Sequence, residues 1–363
     1  MKRKIQFVVG AILMVALLWY LFRETDWAEV WAHLSGANKF WLAVSAAFVF
    51  SGFFLRALRW HFIVRSTKKV NYWLLYDATQ IGFLANFTLP ARAGEAIRAL
   101  VLSRGAGIPF TKCVAFVALD RVTDLFGLMF VLTVTMLFFK PPESLDFPSW
   151  LPVPSGSESS FTPEAIQTAA LSVVAVGPLI AIALLAIYLR PNWVLALSDA
   201  ILGIVSKRFA ETVHGWIEHF ADGLHVFRSP VDMASSIFFS IGVWVTGALS
   251  IWAGLNAFSI EAPWYAGGFV LISLSIVIAL PSTPGFVGPF HLGVMLGLVF
   301  VTSGITEDSA KAMAIYAHLV NLIPLCLTGI HSLRRQHVGL LQLEEEAEHL
   351  EEEAEAEAEA APK

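Results

Sequence analysis

Long apolar segments recur along almost the whole chain. Segments of about 18 or more apolar residues are long enough to cross the hydrocarbon core of a bilayer as helices. The pattern therefore predicts an all-α polytopic membrane protein with about six full spans. These spans are residues 5–22, 40–60, 113–139, 165–189, 234–258 and 311–330.

Two further apolar regions are interrupted by helix-breaking residues. Residues 73–107 contain Pro90 and Gly94, and residues 264–301 contain a stretch rich in proline and glycine at 281–289. Such residues leave backbone groups without helical partners, and lipid cannot satisfy those groups. Each region is therefore predicted to be a broken or re-entrant helical hairpin among the spans, which brings the total to eight or more membrane helices.

The two breaks share one local pattern. Residues 89–94 and 280–285 both read Leu-Pro-x-x-x-Gly. Basic residues flank the first break, whereas Glu261, Glu307 and Asp308 flank the second. Basic residues mark the cytoplasmic side, so the two hairpins are predicted to enter from opposite sides. Paired, interrupted segments in oppositely oriented halves indicate an inverted-repeat transporter with a site near the bilayer midplane.

Basic residues at the ends of the spans also set the predicted orientation. They follow the second and the last span, so both chain termini are predicted to be cytoplasmic. The predicted units are a first transmembrane helix with an outer loop (1–39), a first repeat of span, broken hairpin and span (40–139), an outer Pro/Ser-rich loop, a span and a cytoplasmic interfacial helix (140–233), a second, inverted repeat (234–335), and an acidic Glu/Ala tail (336–363).

Composition agrees with a membrane protein and corrects the first impression of its charge. Hydrophobic residues make up 56% of the chain and charged residues 15%, against about 25% charged residues in soluble domains. The net charge of −5 depends on ten glutamates between Glu344 and Glu359. Without residues 344–363, 23 basic and 19 acidic residues remain. We interpret the tail as a solvated cytoplasmic appendage outside the transport machinery.

Charged residues at membrane depth are the candidate site. They are costly there and usually functional, arginine matches the geometry of a phosphate, and the helix N-termini after the two breaks attract anions. The predicted head-group-binding residues are Arg92, Glu95, Arg98, Asp120, Arg121 and Asp124. The predicted break residues that line the site are Asn86, Pro90, Gly94, Pro281, Pro284, Gly285 and Gly288.

Other interpretations of these charges remain open at this point. Arg92 and Arg98 could snorkel from a cytoplasmic helix end. Asp120 and Asp124 share a helix face, so they could pair with Arg121 or with a basic residue of the first hairpin, or carry protons. Arg56 and Arg59 are interpreted as positive-inside anchors of the second span.

The motifs of several enzyme classes are missing from the sequence. It has no phosphate-binding loop, no serine nucleophile elbow and no zinc-protease motif. We therefore expect no cofactor, no metal and no enzymatic activity of the chain itself. The expected partners are membrane lipids, mainly anionic ones, and a separate lipid-modifying enzyme, with no nucleic acid.

Four segments together resemble the flippase-like membrane proteins related to the transmembrane half of lysylphosphatidylglycerol synthase, the multiple peptide resistance factor. They are residues 56–60, 86–98, 120–124 and 281–288. The resemblance covers residues 5–332 and implies a multi-pass protein of the bacterial inner membrane that translocates lipids. Members of that family are also fused to aminoacyl- or sugar-transferring domains, which we do not find in this sequence.

Residues and resemblance lead to one hypothesis of function and two alternatives. The hypothesis is a flippase that moves an anionic phospholipid or a polyprenyl-phosphate-type lipid across the membrane. The alternatives are an intramembrane enzyme that acts on lipid phosphates and a non-catalytic membrane partner of a separate transferase.

Overall fold

The computed structural model describes residues 2–89, 93–140, 151, 162–205, 213–215, 229–279, 283–302 and 305–360. Apart from short turns and connections, the described elements are helical. They are α1 (Lys2–Phe22), α2 (Trp27–Gly36), α3 (Lys39–Val64), α4 (Tyr72–Thr88), α5 (Gly94–Ala106), α6 (Phe110–Phe138), α7 (Pro163–Leu189), α8 (Pro191–Val205), α9 (Pro230–Ala257), α10 (Ala266–Ala279), α11 (Pro289–Val299), α12 (Glu307–Gln336) and α13 (Leu340–Ala360).

Three helices in the described ranges are long and apolar enough to cross a membrane. They are α3, α9 and α12, with 26, 28 and 30 residues. Because a helix rises 1.5 Å per residue, each exceeds the thickness of about 30 Å of the hydrocarbon core. The prediction of an all-helical protein with membrane spans is confirmed, and the number of six full spans stays a prediction.

Both predicted helix breaks are present in the structure. Helix α4 ends at Thr88 and α5 begins at Gly94, while α10 ends at Ala279. A 3₁₀ turn, Pro284–Phe286, follows it before α11. The φ angles of Gly285 and Gly288 are 64° and 97°, in the region that glycine adopts without steric cost. Three predicted site residues at the breaks, Pro90, Arg92 and Pro281, lie outside the described residues.

The first hairpin is held together by a close backbone contact. A Cβ atom on Gly94 would lie 1.9 Å from the carbonyl oxygen of Gly82, so a larger residue would force α5 away from α4. Asn86 reinforces the contact, because its Oδ1 accepts a hydrogen bond of 3.0 Å from the Gly94 N–H. Glycine is therefore required at position 94 for packing.

The second hairpin also depends on small residues. Gly293 and Gly297 face α10, where Cβ atoms would lie 2.7 Å from the Cα atoms of Leu274 and Val270. Small residues four apart let two membrane helices approach closely. The Oγ of Ser273 in α10 donates a 2.9 Å hydrogen bond to the Gly293 carbonyl. The two hairpins thus use similar packing in separate parts of the chain.

Helices α3 and α9 form the centre of the fold. The Oγ of Ser45 donates to the Ser250 carbonyl at 2.8 Å, and the Oγ of Ser250 donates to the Ser45 carbonyl at 3.1 Å. Helix α6 packs closely on α9, because a Cβ on Gly127 would lie 2.6 Å from the Ser240 carbonyl oxygen. The three helices are therefore in direct contact near the charged residues of α3 and α6.

Two segments differ from the sequence-based prediction. The predicted outer loop contains helix α2, because the Asp26 side chain accepts hydrogen bonds from the N–H groups of Ala28 and Glu29 and so caps its first turn. The tail is not simply a solvated appendage, because Leu343 and Ala347 of α13 are buried. The predicted interfacial helix of 213–227 lies largely outside the described residues, although α8 precedes it.

Candidate functional site

A buried cluster of ion pairs joins α3, α5 and α6. Asp120 lies between two arginines, with Oδ1 2.7 Å from Nε of Arg59 and Oδ2 2.6 Å from Nη1 of Arg98. Arg59 also contacts Asp124 through both terminal nitrogens, and its Nη2 lies 3.3 Å from Oδ2. The side chains of Arg59 and Asp120 are each 1% exposed. The cluster is therefore shielded from solvent and fixes three helices relative to one another.

The helical spacing of the sequence produces this cluster. Asp120 and Asp124 are four residues apart in α6, so their carboxylates lie on one face of the helix. The guanidinium group of Arg98 stacks over the Trp60 ring, 3.7 Å from its centroid, which adds a cation–π interaction. Buried charges need such partners, because an unpaired ion in a low-dielectric interior is costly.

The cluster continues into a more exposed pair. Nε of Arg121 lies 3.0 Å from Oε1 of Glu95, and Nη1 lies 3.3 Å from Oδ2 of Asp124. The Arg121 and Glu95 side chains are 39% and 40% exposed. The indole N–H of Trp244 donates to Asp124 Oδ1 at 3.2 Å. Arg121, Glu95 and Asp124 thus form the accessible edge of an otherwise buried network.

This edge borders a cavity of about 450 Å³. A volume of this size is within the range of small-molecule sites, roughly 300–1,000 Å³. The polar side chains around the accessible edge include Arg56, Asn86, Glu95, Arg121 and Asp124. The rest of the wall is mostly apolar and includes Phe48, Val49, Phe53, Phe83, Phe87, Leu271, Leu274, Ile278, Phe286, Phe290 and Leu325. The cavity therefore combines a charged region with an apolar wall.

Arg56 lines the cavity, whereas its position near the end of the second span predicted an anchor at the membrane surface. It lies one turn before Arg59 in α3, on the face that also carries Val49 and Gly52 of the cavity wall. Its guanidinium lies 5.1 Å from the centroid of the Phe83 ring. The interpretation of Arg56 and Arg59 as anchors at the membrane surface is wrong, because Arg59 is buried in the ion-pair cluster and Arg56 faces the cavity. In the sequence, their spacing of three residues within one span already places both arginines on one side of the helix.

The two helix breaks meet beside the cavity. The rings of Phe87, just before the first break, and Phe286, in the second, are 5.1 Å apart and nearly perpendicular. His318 of α12 contacts both breaks, because its Nε2 donates to the Gly285 carbonyl at 2.9 Å and its ring stacks on Phe87 with centroids 6.4 Å apart. The breaks are therefore in contact although about 200 residues separate them.

The predicted site residues fall into three groups in the structure. Glu95, Arg121, Asp124 and Asn86 line the cavity. Arg98 and Asp120 are buried behind its wall, in the ion-pair cluster. Gly94, Pro284, Gly285 and Gly288 shape the hairpins and are not part of the cavity lining. Arg92, Pro90 and Pro281 belong to the residues that the structure does not describe.

Metal ligands are not clustered in the described ranges. No group of three or more His, Cys, Asp or Glu side chains that could hold a metal ion occurs there. The neighbouring His291 and His318 have ring centroids 5.0 Å apart, and two such side chains fall short of that number. The chemistry of the site as described is that of arginines, carboxylates and one amide beside apolar and aromatic side chains.

Several long apolar helices with charges buried between them define a multi-pass membrane protein. Comparison with known families identifies which one: residues 7–329 match the lysylphosphatidylglycerol synthase transmembrane region, and the chain belongs to this family. The resemblance found in the four motifs is thereby confirmed. The family is named for a lipid synthase, so the broad prediction of a lipid-related membrane protein agrees with it.

A curated relative adds a correction. The chain is 25% identical over 356 residues to a protein of Haloferax volcanii named glycosyltransferase AglD. The match covers 95% of this chain and 57% of that protein, so the chain spans little more than half the length of its relative. The expectation that the chain has no enzymatic role is contradicted, because this relative carries the name of an enzyme.

Proposed function

We propose that the chain binds a phosphate-bearing anionic lipid in the cavity and moves it between the two leaflets of the membrane. The observation that carries this proposal is the cavity itself, which places two arginines beside an apolar wall. A lipid has the same division into a charged head group and an apolar chain. Arginine provides forked donors for phosphate oxygens, and the aromatic and aliphatic wall suits an acyl or polyprenyl chain.

The proposed mechanism assigns different roles to the two groups of charged residues. Arg121, Glu95 and Asp124 border the cavity, so they contact the head group and exchange partners with it. Arg98 and Asp120 act behind the wall, where they hold α5 and α6 in place. Arg92 lies outside the described residues, so its role in head-group binding stays a prediction from the sequence. The alternative that Asp120 carries protons is less favoured, because both of its oxygens contact arginines.

The proposed architecture extends the described helices to a complete transporter. It has six full spans and two re-entrant hairpins, which belong to two inverted repeats, with both termini in the cytoplasm of a bacterial cell and the spans in its inner membrane. The contact between the two breaks supports it, because inverted-repeat transporters place their site where interrupted helices meet. Alternating access then requires the two hairpins to move relative to each other.

A transport assay with one pair of neighbouring variants tests the proposal. Ser275 lines the cavity, whereas Ile276 is 65% exposed on the outside of the same helix. The purified protein is reconstituted in vesicles, and a fluorescent phosphatidylglycerol is followed between leaflets by a quencher that stays outside. We expect Ser275→Trp to reduce the protein-dependent rate at least tenfold because the indole projects into the cavity and obstructs it, and Ile276→Trp to leave it unchanged. Equal rates for the two variants, or no protein-dependent movement, would contradict the proposal.

A second function is favoured by the name of the relative. A glycosyltransferase of Haloferax volcanii shares 25% identity with most of this chain. The chain would then bind the lipid acceptor for a group-transfer reaction, with Asp124 and Arg121 at the reacting head group. Mass spectrometry of lipids recovered from the same vesicles, after addition of an activated sugar donor, distinguishes the two functions. A new lipid product supports transfer, whereas redistribution of unchanged lipid supports transport.

A further inference from the structure

Among the described residues at the charged end of the cavity, one arginine, Arg56, has no carboxylate within salt-bridge distance. Arg59, Arg98 and Arg121 each form at least one salt bridge with Glu95, Asp120 or Asp124. Within the described ranges, Arg56 forms neither a salt bridge nor a side-chain hydrogen bond. The carboxylates described around the cavity are therefore already engaged by the other arginines.

The position of Arg56 raises the free energy of its charged side chain unless an anion is bound beside it. It lies in α3 eight residues before the end at Val64, which is about 12 Å along the helix axis. It is partly buried and faces the cavity. Charged side chains at this depth almost always face a partner or a water-filled cavity. The ring of Phe83 provides a cation–π contact, but it offers no acceptor to the guanidinium N–H groups.

We propose that Arg56 is the residue that binds the phosphate group of the lipid, an inference that rests on the proposed function. Its five N–H donors can engage two phosphate oxygens in the forked geometry typical of arginine. Gly52 and Val49 lie about one and two turns away on the same face of α3, so the apolar wall begins directly beside the bound phosphate. The cavity thereby selects a phosphate that is attached to an apolar chain.

Arg121 has a different role because two carboxylates already hold it. Its contacts with Glu95 and Asp124 must be weakened before it can turn toward a ligand. Among the described residues, Arg56 has no carboxylate within salt-bridge distance, so it contributes the larger part of the affinity for phosphate. The specificity of the site thus depends on Arg56 of α3 rather than on Arg121 of α6.

Binding measurements with three ligands test this assignment. The full chain, purified in a neutral detergent, is titrated with dioleoyl phosphatidylglycerol, dioleoylglycerol and glycerol 3-phosphate, and the complexes are counted by native mass spectrometry. We expect the wild type to prefer phosphatidylglycerol over both other ligands at least tenfold. Charge-assisted hydrogen bonds predict a loss of about tenfold or more in Arg56→Gln, with Arg56→Lys in between because it keeps the charge and loses the fork.

The test also needs a control variant and the results that would overturn the assignment. Arg334, at the exposed end of α12, has the same side chain far from the cavity lining, so Arg334→Gln should bind like the wild type. Unchanged phosphatidylglycerol affinity in folded Arg56→Gln and Arg56→Lys would overturn the role of Arg56. Wild-type protein that binds dioleoylglycerol equally well would instead overturn the proposed function. If glycerol 3-phosphate binds as tightly as phosphatidylglycerol and its binding depends on Arg56, the phosphate contact is supported. The proposal that the ligand is a lipid is then overturned.

Discussion

Asp120 offers the sharpest test of the buried ion-pair cluster. Among the described residues, it is the one carboxylate that contacts both Arg59 and Arg98, and it is 1% exposed. In the variant Asp120→Ala, Arg59 keeps Asp124 and the Ser240 hydroxyl. Arg98 loses its salt bridge because Asp120 is its partner, and its Nε and Nη2 have no hydrogen-bond partner among the described residues. Within the described ranges, the substitution therefore leaves one buried cation without a salt-bridge partner, next to the Trp60 ring.

The expected loss of stability follows from that orphaned cation. Removing one partner of a buried ion pair costs about 3–5 kcal/mol, which is a large share of the roughly 5–15 kcal/mol of a typical fold. Replacing both partners with apolar residues removes the uncompensated charge. We therefore expect the double variant Asp120→Ala, Arg98→Met to be about 2 kcal/mol more stable than Asp120→Ala alone.

Unfolding of the four proteins in mixed detergent micelles measures this double-mutant cycle. The wild type, the two single variants and the double variant are unfolded with sodium dodecyl sulfate while the loss of helix is followed by circular dichroism. The reasoning is refuted if Asp120→Ala unfolds with the wild type, or if the double variant loses the sum of the two single effects. If the losses in unfolding free energy of the two single variants add up in the double variant, the Arg98 and Asp120 side chains have no coupling energy, even though they are in contact.

Three further variants test contacts outside the cluster. Gly94→Val should destabilise the chain by about 3 kcal/mol or more, because its side chain collides with the backbone of α4, and a normal thermal unfolding curve would contradict this. Asp77→Asn should cost about 1–2 kcal/mol in the same measurement, because it removes the charge that pairs with half-exposed Arg335 while a carboxamide oxygen remains. Leu343→Asp should release the tail helix from its apolar contacts and speed its cleavage in limited proteolysis. The neighbouring Leu341→Asp, at a 69% exposed position, should not.

The sequence predicts the helix breaks and the edge of the site well for a physical reason. Proline and glycine within apolar segments, and charged residues at membrane depth, both carry a high energetic cost, so their positions are informative without a structure. Glu95, Arg121 and Asp124 were found by this argument and line the cavity. Whether they bind a lipid stays a prediction, because the geometry shows their position and not their ligand.

Other parts could not be derived because they depend on contacts distant in sequence. Arg56 and Arg59 satisfy the positive-inside rule equally well as anchors and as buried residues, and only the approach of α6 to α3 separates the two cases. The tail was assigned to solvent from its ten glutamates, whereas Leu343 and Ala347 provide an apolar stripe that packs in the cluster of α5. Helix α2 was missed although Asp26 is a typical N-cap, since the surrounding acidic residues suggested a loop.

The two hairpins are alike in outline and differ in the forces that hold them. The first is tied to α6 by ion pairs, because Arg98 and Glu95 of α5 contact Asp120 and Arg121. The second has no Asp, Glu, Lys or Arg in α10 or α11, so close packing around small residues and neutral hydrogen bonds hold it. Moving the first hairpin away from α6 breaks the buried Arg98–Asp120 ion pair, whereas the described residues of α10 and α11 form no ion pair and only repack their apolar contacts. If the hairpins move during transport, the physical chemistry favours a fixed first hairpin with the phosphate site beside it and a second hairpin that opens and closes the cavity.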